Sequence, residues 1–372
     1  MNHFKIPEYV EKLNTNDIEQ NLAFYKYDTR KLKRQIKNNV DQELPEFISS
    51  YSSFKGEVYE NVLYELLLKY AKNEPLITRF ILKGPHQNKN NIYNKHGLLI
   101  DKSAQIVYKS AYKDISEFDA LFFTQEAIYF VEMSTSKKTA SLNKRLNKKH
   151  ALLKVLFPNL EIRALIILTK GSSGLKRFPS YCTMWITNDL EDKVLLEKVL
   201  YNKISRKNLV TFKDKKFIET DVVKYKRFQY FQTIEWILKR SRSNSKFAVD
   251  LRFFTSEVLS LYFDIFTKLY IGHMSEEDFL SLAPQYPNEI KKVIVTLEKI
   301  NTTVYDVVYY IRETSGKLNR VTIDDKEVKI KEKELDGFTN SETKFIIYVL
   351  EDKHILFPRD ISHIKKNISI LS

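Results

Sequence analysis

Two apolar runs, at 127–133 and 161–168, are separated by a basic amphipathic stretch at 141–156. In that stretch Leu142, Leu146, Leu153 and Leu156 recur on one side of a helix. A helix between two strands carries the chain back to its starting edge, so the two strands are expected to run parallel. The second run ends Ala164-Leu165-Ile166-Ile167-Leu168 without a polar residue, as a strand covered on both faces should. This arrangement predicts an α/β core.

The neighbouring segments extend that core. Tyr59, Val62, Leu66 and Tyr70, widened by Leu63 and Leu67, predict a helix over 55–72, with Pro75 beyond its end. A polar loop follows at 83–97. A hairpin is expected within 98–108, then strands at 118–123, 127–133 and 181–187, and a helix over 188–200. The order over 55–187 is therefore helix, two or three strands, helix, strand, strand. That predicts a mixed sheet flanked by helices. With 372 residues the chain exceeds one hydrophobic core, and its 43% hydrophobic content excludes wholesale disorder. We expect an N-terminal helical arm at 1–50, the α/β core at 51–200, and a third part at 201–372. The last opens with a basic, aromatic segment and continues as a mainly helical α+β domain. Its helices are expected over 247–270, 275–282 and 288–312, with a hairpin at 321–334 and a strand at 344–350. Ser275 and Asp278 form a capping box.

Several chemistries are excluded by residue counts. Eight glycines cannot be arranged into a dinucleotide fingerprint or a phosphate-binding loop. Cys182 is the only cysteine, which removes disulfides and thiolate zinc cages, and no H-E-x-x-H is present. No apolar stretch approaches the ~20 residues of a membrane span, and the amino terminus lacks a secretory signal. A cytoplasmic protein is expected.

The formal net charge is +14. Residues 133–170 carry nine Lys/Arg against one acid, and 203–246 carry thirteen against four. Clustered basic charge points to a polyanion, nucleic acid first and an anionic membrane surface second. Within the second segment, Lys224-Tyr225-Lys226-Arg227-Phe228-Gln229-Tyr230-Phe231 interleaves cations with rings, and Lys239 and Arg240 continue the charge. Lys226, Arg227, Lys239 and Arg240 are expected phosphate contacts, as are Lys137, Lys138, Arg145 and Lys148 around the basic helix. The hairpin at 321–334 is acidic, open to a protein partner or to solvent alone.

Three acids stand where the layout can bring them together: Glu60 on the first helix, Asp119 at a strand start and Glu132 at a strand end. Carboxylates at the ends of apolar strands are costly to desolvate without a partner. A divalent cation held by Asp119 and Glu132, Mg²⁺ or Mn²⁺, is one such partner.

These residues resemble the PD-(D/E)xK nuclease superfamily, with an opening like that of Mrr-like restriction endonucleases. Gly56-x-x-Tyr59-Glu60 is similar to the start of that fold, Glu117-Phe118-Asp119 to its first acid, and Val131-Glu132-Met133-Ser134 to its Glu-x-Lys. The resemblance covers about residues 55–187. It implies a restriction-endonuclease-like fold and a metal-dependent nuclease, DNA being the favoured substrate, in defence or repair. Ser134 stands where the family has its lysine, and Lys144 on the following helix is the first candidate to replace it. Without a replacement, the chain is expected to bind nucleic acid or a protein without cutting. A scaffolding protein with a basic surface is the third reading.

Overall fold

The first segments of the chain are helical: α1 (Glu8–Glu11), α2 (Glu19–Leu22), α3 (Arg30–Lys37) and the long α4 (Pro45–Asn73). They belong to a computed structural model that describes residues 4–87, 97–110, 113–157, 159–206, 208–210, 212, 214–219, 268–300, 304–324, 327–332 and 355–371. The strands β1 (Arg79–Ile81), β2 (Gly97–Ile100), β3 (Ile106–Ser110), β4 (Lys113–Phe118), β5 (Ala120–Phe123) and β6 (Ala127–Ser134) come next. Helix α5 (Ala140–Leu156), β7 (Glu161–Thr169), β8 (Cys182–Thr187), α6 (Lys193–Leu200) and β9 (Phe217–Ile218) complete this part. The chain divides into two units, Met1–Arg227 and Phe228–Ser372.

In the first unit six strands form a mixed sheet in the order β8-β7-β6-β5-β1-β9. As expected, β6 and β7 pair in parallel across the α5 crossover, and β8 adds to β7 in parallel. Strand β5 runs antiparallel to both β6 and β1. Strands β2, β3 and β4 make a separate antiparallel sheet. The turn between β2 and β3 is held by Asp101, whose carboxylate accepts from the Ser103 and Gln105 amides. This is the hairpin the sequence predicts.

Alternation along β5 and β6 assigns the two faces. Ala120, Phe122, Tyr129, Val131 and Met133 share a core with Val58, Val62 and Leu66 of α4. The opposite parity, including Phe130 and Glu132, turns toward α5. Tyr59 is buried and its hydroxyl lies 2.8 Å from Thr187 Oγ1, which ties α4 to the end of β8. Burial raises its phenol well above the ordinary value.

One boundary differs from expectation. Helix α4 begins at Pro45, so a border at 50 falls inside it; proline suits a first helical position because no amide partner is needed there. The N-terminal helical segment packs on the core: Phe4, Val10, Leu22 and Leu32 are buried together with residues of the sheet.

The described residues of the second unit are mainly strands, where a mainly helical domain was expected. Among its described residues, β10 (Lys268–Met274), β11 (Ile290–Lys299), β12 (Tyr305–Glu313), β13 (Leu318–Asp324) and β14 (Glu327–Glu332) form an antiparallel meander in chain order. Two helices, α7 (Glu276–Leu282) and α8 (Pro358–Leu371), accompany it. The segment expected as a helix over 288–312 is the strand pair β11 and β12. Its run of valine, isoleucine and tyrosine is buried on both faces, so period-two alternation is hidden, while β-branched and aromatic residues favour the strand. The 321–334 hairpin is present as β13 and β14, and Ser275 caps α7 by accepting from the Asp278 amide. The expected helix over 247–270 lies outside the described residues except for its last three positions, which are strand. The expected strand at 344–350 lies outside them entirely.

Candidate active site

The register of β5 against β6 decides the centre of the site. Ala120 pairs with Val131, so Asp119, one step before, stands across from Glu132. Opposed residues in an antiparallel pair lie on one face with adjacent side chains. Asp119 Oδ2 accepts the Met133 amide at 2.6 Å, which fixes its carboxylate at the strand end.

A cleft of about 390 Å³ opens over this pair. Its walls include Glu60 from α4, Glu117 from β4, Asp119, Glu132, and Arg145, Lys148 and Lys149 from α5. The three acids singled out in the sequence thus meet in one place. Glu60 is held from behind by Lys83, whose Nζ lies 2.7 Å from its carboxylate and is itself buried.

Glu132 is the most enclosed of these acids, its side chain only 2% exposed. Arg145 Nη2 lies 2.8 Å from Oε1, and Lys149 Nζ pairs with Oε2. Burial pushes the Glu132 carboxyl above the ordinary carboxylate value; Lys149 opposes that shift and Asp119 adds to it. For Lys149 the direction is set by its partners. Burial alone would lower it, but Asp119 and Glu132 more than offset this and hold its ammonium above the usual lysine value. At neutral pH Lys149 is therefore a cation on the floor of the cleft. Desolvation, then the Glu60 charge, raises Glu117.

The other candidates fall elsewhere. Lys144 is exposed and does not line the cleft; Lys149, one turn beyond Arg145 on the same helix face, reaches Glu132 instead. Lys137 is a clamp between loops, with Nζ at 2.9 Å from Asp189 and 3.0 Å from Thr169 Oγ1. Lys138 is exposed beside it. Lys226, Arg227, Lys239 and Arg240 lie outside the described residues. Ser134 is half-buried and its hydroxyl accepts the Ser136 amide, a turn-forming role. Cys182 is half-buried and burial pushes its thiol up to about 12, so no thiolate is present at neutral pH.

The sequence reading missed Lys149 and Lys83. For Lys149 a signal existed. Leu142, Leu146, Leu153 and Leu156 are spaced four, seven and three apart, and the missing member of that alternation is position 149. A lysine on an inward stripe implies a buried partner. Nothing in the polar loop that begins at Lys83 marked that residue as buried.

A hard divalent cation takes one or two carboxylates with waters and phosphate oxygens, and Asp119 with Glu132 meets that donor requirement. Among the described residues no cluster of three or more His, Cys, Asp or Glu is arranged to hold a metal ion. Any cation here would rest on two carboxylates and compete with Arg145 for Glu132. No described helix is long and apolar enough to cross a membrane.

No protein-family model, curated protein or solved structure matches this chain.

Proposed function

We propose that the cleft is the active site of a metal-dependent phosphodiesterase of the PD-(D/E)xK kind, acting on nucleic acid, with DNA favoured. The observation that carries this reading is the convergence of Glu60, Asp119 and Glu132 with the buried cation Lys149 around one open cleft. Asp119 and Glu132 would hold the metal, and a bound Mg²⁺ or Mn²⁺ would supply Lewis-acid stabilisation of phosphodiester charge. Lys149 stands in for the motif lysine absent at Ser134, and its ammonium would stabilise an oxyanion developing in the cleft. Glu60 faces the pair from the other wall, placed to accept a hydrogen bond from the attacking water. Lys148 and Arg145 meet the phosphates at the cleft mouth.

The test is incubation of the full chain with supercoiled plasmid, single-stranded DNA and RNA in the presence of Mg²⁺ or Mn²⁺. Cleavage of at least one substrate is expected, and it should fall by at least ~100-fold in Asp119→Asn and in Glu132→Gln. Undiminished cleavage in both variants removes the cleft as its source.

A second reading, binding without cleavage, is favoured by one feature: both Glu132 oxygens already have cationic partners. Salt-sensitive retention of nucleic acid with no cleavage under any metal supports that alternative.

A further inference from the structure

Glu132 is enclosed, yet its two partners differ sharply in freedom. The Lys149 side chain is 9% exposed, whereas that of Arg145 is 55% exposed. Lys149 is enclosed, with its ammonium on Glu132 Oε2 and over the Phe118 ring. Arg145 holds Glu132 Oε1 through Nη2, and its side chain, more than half exposed, also lines the cleft. The same guanidinium is suited to bidentate contact with a phosphate. Arg145 thus has a carboxylate partner inside the cleft, and a phosphate that engages the same Nη2 edge competes with it.

We propose that Arg145 is a positioning residue that couples the two ligands of the site. With no polyanion present it neutralises Glu132 and weakens divalent-cation binding. A phosphate at the mouth draws the guanidinium away, releases Oε1, and so tightens the cation. The coupling is reciprocal: the cation strengthens polyanion binding by the same factor. The device keeps the chain poorly metallated until nucleic acid is seated. It rests on the reading of Asp119 and Glu132 as cation ligands given above.

Binding of Mn²⁺ to the full chain, followed by calorimetry, tests this without reference to turnover. The probes are Mn²⁺ alone and Mn²⁺ with a short phosphorothioate DNA duplex. The duplex should tighten Mn²⁺ about tenfold in the unaltered chain. Arg145→Ala should bind Mn²⁺ alone about tenfold more tightly than the unaltered chain and gain little from the duplex. Arg145→Lys, which keeps the charge, should stay nearer the unaltered chain. Because Arg145 is largely in solvent, its variants are expected to keep the circular dichroism of the parent. Equal Mn²⁺ affinity in the parent and Arg145→Ala overturns the coupling while leaving the metal reading intact. An equal gain in Lys144→Ala, an exposed neighbour outside the cleft, also overturns it, because a general loss of positive charge is then enough. No Mn²⁺ binding in any form, or binding unaffected by Asp119→Asn, overturns the metal reading and the coupling with it.

Discussion

Lys149 carries a charge into a position where the leucines of α5 predict another apolar side chain. Its burial is supported by Glu132 and Asp119, and the Phe118 ring lies 5.6 Å from Nζ, within cation–π reach. Removing one member of a buried ion pair leaves the other without compensation, which costs more than the pair contributes. Lys149→Met is therefore expected to lower the unfolding free energy by about 3 kcal/mol. Glu132→Gln added to it should recover at least ~1 kcal/mol. Lys144→Met, on the exposed face, should stay within ~0.5 kcal/mol of the parent. Urea denaturation of the four proteins checks all three values. A Lys149→Met cost no larger than that of Lys144→Met would mean that Arg145 alone satisfies Glu132. At this scale the acids were legible and their partners were not. A carboxylate at the end of an apolar strand announces itself in the sequence. The cation that reaches it comes from another element, and its identity depends on helix phase.

Helix α5 enters the site at an angle fixed by the loops around it. Thr139, just before the helix, is buried and donates to the Ser173 carbonyl, the Lys137 carbonyl accepts the Ser173 amide, and the Lys137 ammonium joins this loop to Asp189 of the next one. Gly174 completes the contact. Its backbone is left-handed at φ +79°, and a Cβ there would lie 2.9 Å from Thr139 Oγ1. Glycine adopts this conformation without steric cost, whereas an L side chain adds about 1–2 kcal/mol before the clash is counted. Gly174→Ala should thus destabilise the chain by about 2 kcal/mol, read as a lowered thermal midpoint. Because the clash displaces Thr139, it should also reduce any cleavage more than the loss of folded protein explains. Full activity at a temperature where Gly174→Ala remains folded would separate this loop from the site. The helix itself was plain from its leucines and its basic face. The loop contact was not, since a serine- and glycine-rich turn reads only as a turn.

Taken whole, the first unit sets a cleft lined by both signs of charge against a chain whose net charge is +14. Such a chain should hold nucleic acid mainly through phosphates. Affinity for duplex DNA is expected to fall linearly on a log–log salt plot, with a slope of about −0.9 per phosphate contact. Reversal of Lys226, Arg227, Lys239 and Arg240 to Glu should flatten that slope, whereas Asp119→Asn should leave it unchanged. Titrations by fluorescence anisotropy at several salt concentrations decide this. Salt-insensitive binding would remove nucleic acid as the partner and leave the scaffolding reading.

The sequence alone determined the parallel pair around α5, the strands that follow it and the three acids, because each rests on local periodicity or on short-range chain connection; it expected two or three strands between α4 and α5 where six are present, the segment 118–123 being split at Asp119 between two sheets. It misread β11 and β12 as helical, because a strand buried on both faces loses the alternation that marks it. Only the tertiary structure decided that residues 4–50 complete the first core, since such burial depends on surfaces distant in the chain. It alone decided, too, that Lys149 rather than Lys144 meets Glu132. That choice turns on the rotation of one helix over one sheet, where a shift of a single residue changes direction by about 100°.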